Sequence, residues 1–561
     1  MLKVYSKETV SMYARDGVRL DADIYRPNAK GNFPVLLMRQ PYGREIASTV
    51  VYAHPSWYAA HGYIVVIQDV RGRGTSEGKF QLFANEIEDG EDSVNWAANL
   101  PHSNGNVGMY GFSYQGMTQL YAAAAKPEAL KTICPAMIAY DLYSDWVYEG
   151  GAFCLQTNLA WAIQLAAETA KLKGDEKAYE QLFAASRNLP IYEGIPPHPG
   201  VLKDFAPDSF YHEWIGYSSS DNFPLSEKSD EELYEYWQKL SPKTYLKDVD
   251  LPMFHIGGWF DTYLRGTLHL YEDMKARNTQ RQELVIGPWA HLPWGRKVGE
   301  VDFGFKAMSP IDKMQIRWFD QFLKNKDTDL LNEAAICLFQ MGTNSWRTFK
   351  EYPVLEYQSH PLSTIGLASI REDSGNIVLN SESLIPDAYD VIVHDPWRPV
   401  PSLGGHAGLP GGSFERSHID SRSDVITYTS PIFDSVLHIT GEVIVEVWCE
   451  SDKPTFDLCA VLSQVQPDGK IYNITQGYLR TQSDTNLQRI KLQGTCTKII
   501  KGNALRLSLS ASCFPAYAIN PGDNLPSKIA RWQDAQITTI KVRCGTESGS
   551  KILLPVTQVS S

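Results

Sequence analysis

The chain has 561 residues, 43% of them hydrophobic and 21% charged, with a formal net charge of −13. That length exceeds one ordinary domain and predicts roughly two to four. The acidic balance excludes a nucleic-acid backbone as main partner, because phosphate binding needs a basic face; it also argues against steering of an anionic substrate, while leaving room for a local basic pocket.

The first 142 residues alternate strands and helices. Val18 to Tyr25 alternates apolar and polar residues, as a half-buried strand does. Pro34 to Met38 and Tyr63 to Ile67 are short apolar runs, which suit strands buried on both faces of a largely parallel sheet. Trp57 to His61 is the end of a crossover helix between them. Glu88 to Asn99 is helical, Val107 to Phe112 is a strand, and Gln115 to Ala125 is a helix of small residues.

From 143 to 245 the pattern becomes helical. Gly151 to Gly174 carries apolar residues at helical spacing, and Asp175 caps a second helix to Asn188. A Pro/Gly linker at 195–200 precedes a helix over Asp230 to Leu240. No strand pattern interrupts this region, which predicts a helical insertion. Strands resume at Pro252 to Gly257 and Leu284 to Gly287, and Asp312 to Leu323 is an amphipathic helix. The predicted divisions are 1–142 and 246–355 for an α/β core, 143–245 for a cap and 356–561 for a β-domain. In that last part, alternating runs such as Val436 to Cys449, Leu505 to Ser510 and Ile537 to Val542, separated by turns such as Pro467-Asp468-Gly469, predict a sandwich or jelly roll.

The eight cysteines form no C-x-x-C pair and have irregular spacing, so neither a zinc site nor a disulfide framework is predicted. Met1 to Gly17 has no apolar core of signal-peptide length, and no run approaches about 18 apolar residues. The predicted location is the cytoplasm, with no membrane partner.

Gly111-Phe112-Ser113-Tyr114-Gln115-Gly116 matches G-x-S-x-G between a strand and a helix, the setting of a nucleophile elbow. A serine hydroxyl needs a base to take its proton. His291, in Gly287-Pro288-Trp289-Ala290-His291, follows a strand and can supply one. Asp261 follows another strand and lies between Ser113 and His291 in sequence, the chain order of acid in this kind of triad. Asp261 could equally cap a helix over Thr262 to Met274.

Several segments together resemble the cocaine esterase-like hydrolases, relatives of the X-Pro dipeptidyl-peptidases and the α-amino acid ester hydrolases. They are Pro41-Tyr42-Gly43, the run Gln68 to Gly78, Gly111 to Gly116, Gly257 to Asp261, Gly287 to His291, Pro399 to Gly405 and Gly477 to Arg480. The resemblance implies an α/β-hydrolase core with an inserted helical cap and a C-terminal jelly roll. It implies Ser113, Asp261 and His291 as the triad, with the Tyr42 hydroxyl and the Tyr114 backbone N–H as the oxyanion hole. Trp146, Trp161 and Phe260 become candidates to line the acyl pocket, though helix packing explains the two tryptophans equally well. The substrate would be a small ester or amide, with no cofactor; a homodimer stays open.

Asp261 is followed by Thr262, Tyr263 and Leu264, not by the acids with which the ester hydrolases of α-amino acids bind an ammonium. That weakens an aminopeptidase alternative. Gly72, Gly74 and Gly78 give G-x-G-x-x-x-G, which is not a dinucleotide fingerprint; a structural turn is predicted, with Asp69 paired to Arg71. Two rivals remain: an idle scaffold acting as a binding protein, and a metallohydrolase using His255, Asp261, His269 and His291.

Overall fold

Phe33–Gln40 and Ile64–Asp69 are buried along almost their whole length, so both faces of these strands must be covered. In the computed structural model they lie side by side in a ten-stranded sheet. The structure describes residues 1–192, 210–216, 230–353, 356–379, 386–482, 485–523, 531–545 and 549–557. The sheet runs Glu8–Tyr13, Arg19–Tyr25, Ile64–Asp69, Phe33–Gln40, Ser103–Phe112, Leu130–Ala136, Met253–Phe260, Gln282–Ala290, Ile336–Gln340 and Ser345–Phe349. Seven strands, from Ile64–Asp69 to Ile336–Gln340, are parallel; the flanking pairs are antiparallel. Helices Glu86–Ala98, Tyr114–Ala124, Leu264–Arg277 and Ile311–Leu323 cover it.

Between Leu130–Ala136 and Met253–Phe260 the chain leaves the sheet and forms helices Leu155–Leu172, Glu176–Arg187, Phe210–Gly216 and Asp230–Leu240. Asp175 caps the second of these, its carboxylate accepting the Ala178 N–H at 3.0 Å. The linker at 195–200 lies outside the described residues. One expectation fails: Tyr148–Glu149 and Ala152–Phe153 form a small hairpin inside the cap. Two-residue strands are too short to show a period. The hairpin's Gly150 has φ +51°, and a Cβ there would overlap the carbonyl of Tyr478. Its own carbonyl accepts the Arg480 N–H at 2.8 Å, so the cap docks against the C-terminal β-domain.

That domain is a jelly-roll sandwich. Glu356–Thr364 pairs with Lys551–Val556 in one layer and with Gly375–Ile377 in the other. Leu362, Ile426, Val445, Leu458, Leu507 and Ile540 fill the space between, in one cluster that continues into Trp259, Phe260 and Leu264 of the hydrolase core.

Where cap, core and sandwich meet, Glu149 Oε2 accepts from Arg265 Nη1 at 2.7 Å and from the Tyr517 hydroxyl at 2.6 Å, and lies 2.8 Å from His406 Nε2. Burial works against the charge on Glu149, but Arg265 and His406 outweigh it and hold its carboxyl down at about 2. A carboxyl depressed in the folded state stabilises above its ordinary range and loses that contribution as pH falls through the folded value. Glu149→Ala strands a half-buried guanidinium and should cost about 3 kcal/mol, seen as an earlier first transition in urea unfolding. Wild type should lose this contribution as pH falls from the ordinary range towards about 2, and Glu149→Gln should show no such acid limb. An unchanged first transition in Glu149→Ala would remove the cluster from this account.

Candidate active site

The strand Ser103–Phe112 ends and the helix Tyr114–Ala124 begins with one residue between them, Ser113. So sharp a reversal puts Ser113 at φ 60°, ψ −127°, a conformation that costs a non-glycine residue about 1–3 kcal/mol. Neighbouring bonds hold it there. Its N–H donates to the Ala136 carbonyl at 2.9 Å, and its carbonyl accepts from the N–H groups of Gly116 and Met117 at 2.9 and 3.0 Å. Gly111 has φ +141°, and a Cβ on it would stand 2.5 Å from Gln115 Cβ. A Cβ on Gly116 would overlap Ile138 and approach the Ala136 carbonyl to 2.9 Å.

Met253–Phe260 and Gln282–Ala290 are parallel neighbours, paired from Met253 with Gln282 to Phe260 with Ala290. Asp261 and His291 each follow the last residue of one strand, so the pairing brings them together. His291 Nδ1 lies 2.8 Å from Asp261 Oδ1. Asp261 is fully buried, and its Oδ2 has no hydrogen-bond partner among the described residues. The helix-cap alternative fails: the helix starts at Leu264 with Tyr263 as its capping residue, and no side chain caps it. The ring of Phe112, next to Ser113, packs 5.3 Å from the His291 ring. Among the described residues Ser113 and His291 form no direct hydrogen bond. In substrate-free enzymes such bonds are often loose and tighten only when substrate binds.

Tyr42 reaches the elbow from the loop after Phe33–Gln40. Its hydroxyl accepts from Trp161 Nε1 at 3.1 Å. Burial pushes its pKa up to about 12, against the opposing pull of Trp161, Ser113 and the charge on Arg73, so the phenol stays protonated and able to donate. Gln115 ties this loop to the elbow. Its Nε2 donates to Gln40 Oε1 at 3.1 Å and to Ser48 Oγ at 2.6 Å, while its Oε1 accepts the Phe112 N–H at 3.4 Å.

The glycine run 72–78 serves the same loop. Asp69 pairs with Arg44, not with Arg71: its Oδ1 accepts the Arg44 N–H and its Oδ2 the Arg44 guanidinium, both at 2.5 Å. Arg71 pairs instead with Asp16 and Asp89. A Cβ on Gly74 would collide with the Asp69 carboxylate, which is why the turn carries a glycine.

Trp146 and Trp161 lie 5.1 Å apart, and Trp146 stands 4.2 Å from Tyr263, itself 5.0 Å from the His291 ring. Trp161 also reaches Tyr114 at 6.4 Å. Phe260 belongs to a different cluster, facing Phe303 at 6.3 Å and the sandwich. Sequence reasoning missed Tyr263, although it is two residues from Asp261. It also missed Gln493, whose Nε2 donates to the carbonyls of Trp259 and Asp261, both at 3.0 Å. No local signal could have found a residue more than 200 positions away. Among the described residues no group of three or more His, Cys, Asp or Glu is placed to hold a metal. His255 is buried against Gln282, and His269 pairs with Asp145.

An α/β-hydrolase sheet with a strained serine at its elbow and a histidine–carboxylate pair at its strand ends defines the class: this protein is a serine hydrolase. Residues 16–293 match the model of the X-Pro dipeptidyl-peptidase (S15 family), and residues 332–538 match the X-Pro dipeptidyl-peptidase C-terminal non-catalytic domain. Together these two matches span most of the chain, which resembles the cocaine esterase-like hydrolases. It is 29% identical to the cocaine esterase of Rhodococcus sp. (strain MB1 Bresler) over 97% of both chains, and 25% identical to a putative serine esterase of Mycobacterium bovis over 85% of this chain and 80% of that one. In fold it is similar to an aminopeptidase from a marine sediment Thaumarchaeota archaeon (TM-score 0.81, 21% identity, 99% of this chain and 96% of that one). It is also similar to an α-amino acid ester hydrolase (TM-score 0.76, 21% identity, 99% and 97%).

Gly116→Ala tests the elbow. The new methyl meets Ile138 and the Ala136 carbonyl, which itself holds the Ser113 N–H. The variant should lose about 1–3 kcal/mol and shift its thermal midpoint downward. An unshifted midpoint would show that the elbow tolerates a Cβ there.

Proposed function

We propose that this hydrolase cleaves ester or amide bonds of small acyl substrates through a triad of Ser113, His291 and Asp261. The observation that carries the reading is the 2.8 Å contact between His291 Nδ1 and Asp261 Oδ1, formed at the ends of two adjacent parallel strands. With Nδ1 engaged by Asp261, Nε2 is the nitrogen left to take the Ser113 proton. Ser113 Oγ attacks the carbonyl carbon. The oxyanion is held by the Tyr42 hydroxyl and the Tyr114 N–H at the start of the elbow helix. His291 returns the proton to the leaving group, and water then hydrolyses the acyl-enzyme by the same route. Trp146, Trp161 and Phe260 are our candidates for the acyl pocket, the two tryptophans being supported by the aromatic chain that leads from His291.

The division into a core over 1–142 and 246–355, a cap over 143–245 and a jelly roll over 356–561 is part of the reading. We place the enzyme in the cytoplasm, with a small-molecule substrate, no nucleic-acid or membrane partner, and homodimerisation open. All eight cysteines are free, which suits a reducing compartment, and no described helix is long and apolar enough to cross a membrane. A second reading, an X-Pro aminopeptidase, draws on the description of the matching family model. Against it stand Thr262, Tyr263 and Leu264 where an ammonium would need acids, and Glu149, whose charge is already taken by Arg265. A panel of p-nitrophenyl esters, acyl amides and X-Pro dipeptide amides separates the two.

Ser113→Ala should lose on the order of 10⁶ in kcat, and a fluorophosphonate should label wild type but not the variant. Residual activity of more than a small fraction would overturn the mechanism. Tyr42→Phe should lower kcat about 10²–10³-fold with little change in KM. An unchanged kcat, with chemistry shown to limit the rate, would make Tyr42 a packing residue.

A further inference from the structure

Arg73 is 3% exposed, yet no carboxylate lies within ion-pair distance of it among the described residues. The other arginines buried this deeply are paired: Arg39 with Glu86, Arg416 with Asp420, Arg480 with Asp457 and Arg506 with Glu372. Leaving a guanidinium in a low-dielectric site without a counter-charge is costly. Burial lowers the pKa of Arg73, and the distant pull of Tyr114, Glu168 and Tyr42 does not cancel the effect.

Its hydrogen bonds use only one end of the fork. Nη1 donates to the Leu165 carbonyl at 3.3 Å and to Thr169 Oγ1 at 3.1 Å. Nε is buried without a partner, and Nη2 makes no hydrogen bond among the described residues. The Nε–Nη2 edge is one that takes a carboxylate by two parallel bonds.

The surroundings place Arg73 near the side chains proposed for the acyl pocket. Trp161, Leu165 and Thr169 follow at four-residue spacing on one face of Leu155–Leu172, so Arg73 meets the face that carries Trp161. Trp161 in turn holds the Tyr42 hydroxyl. The guanidinium lies over Phe80, 4.0 Å from its centroid, and Phe80 packs 6.1 Å from Tyr114 at the elbow. An unpaired cation thus stands near side chains that reach the Tyr42 hydroxyl and the Tyr114 ring.

We propose that Arg73 anchors a carboxylate on the acyl chain of the substrate, so that the preferred substrates are half-esters or half-amides of dicarboxylic acids. This inference rests on the Ser113 triad reading, because that reading defines the acyl side. It also reconciles an anionic substrate with a chain of net charge −13: selection comes from one desolvated cation at short range, not from the long-range field.

The test compares monomethyl succinate, glutarate and adipate with methyl valerate, a neutral ester matched in length to the glutarate, by pH-stat. Wild type should turn over at least one half-ester with higher kcat/KM than methyl valerate. Arg73→Gln should reduce kcat/KM for that half-ester on the order of 10–100-fold more than for methyl valerate, mainly through KM, with Arg73→Lys in between. Equal losses on both substrates would make Arg73 a brace for the cap helix and overturn the proposal, as would a wild-type preference for methyl valerate over all three half-esters. Binding separates this from the triad reading. Glutarate should raise the thermal midpoint of Ser113→Ala and not that of Ser113→Ala/Arg73→Gln; equal shifts would overturn the Arg73 proposal. Ester turnover surviving in Ser113→Ala would instead overturn the triad while leaving the glutarate comparison valid.

Discussion

Ser113 has a backbone conformation that a serine does not choose, and the rest of the site follows from holding it there. The strain is local but its supports are not. Ala136 on the next strand takes the Ser113 N–H, Gly116 leaves room for that approach, and Gln115 reaches back to Gln40 and Ser48. The turn that aims the hydroxyl therefore also fixes the loop carrying Tyr42. Asp69 repeats the arrangement from the other side, binding the backbone and side chain of Arg44, two residues beyond Tyr42. Preorganisation of this kind is needed if the donors are to face the developing oxyanion without moving during the reaction.

His291 and Asp261 depend on the sheet in a simpler way. Parallel neighbours end side by side, so the residues that follow them meet whatever their separation in sequence. The sandwich then closes Asp261 from behind. Gln493 binds the Asp261 carbonyl, and Trp259, Phe260 and Leu264 pack into the core of the sandwich itself. A domain described as non-catalytic thus forms part of the wall that shields Asp261 from water.

Charge is distributed to match. The deep carboxylate Glu149 is tied to Arg265, 116 residues away, while Asp457 is tied to Arg480 across two neighbouring strands of the sandwich. Glu149, with Arg265, His406 and Tyr517, acts as a registration device between cap, core and sandwich. Arg73 differs because its guanidinium lies over Phe80 and has no such tie among the described residues.

The sequence by itself determined the layering and the chemical groups. Apolar runs over Pro34 to Met38 and Tyr63 to Ile67, the strand–G-x-S-x-G–helix run at Ser113, and the alternation after Tyr357 are local patterns whose period reports the element that forms. Asp261 and His291 were legible as residues placed after strands, because strand ends are where an α/β sheet gathers its reactive groups. Only the tertiary structure decided what is non-local or too short to carry a period. The two-residue hairpin at Tyr148 and Ala152, the pairing of Asp69 with Arg44 rather than Arg71, and the reach of Gln493 to Asp261 each depend on chain segments meeting in space. So does the isolation of Arg73. A sequence shows that an arginine is present, but whether a carboxylate stands beside it is a property of the packed interior.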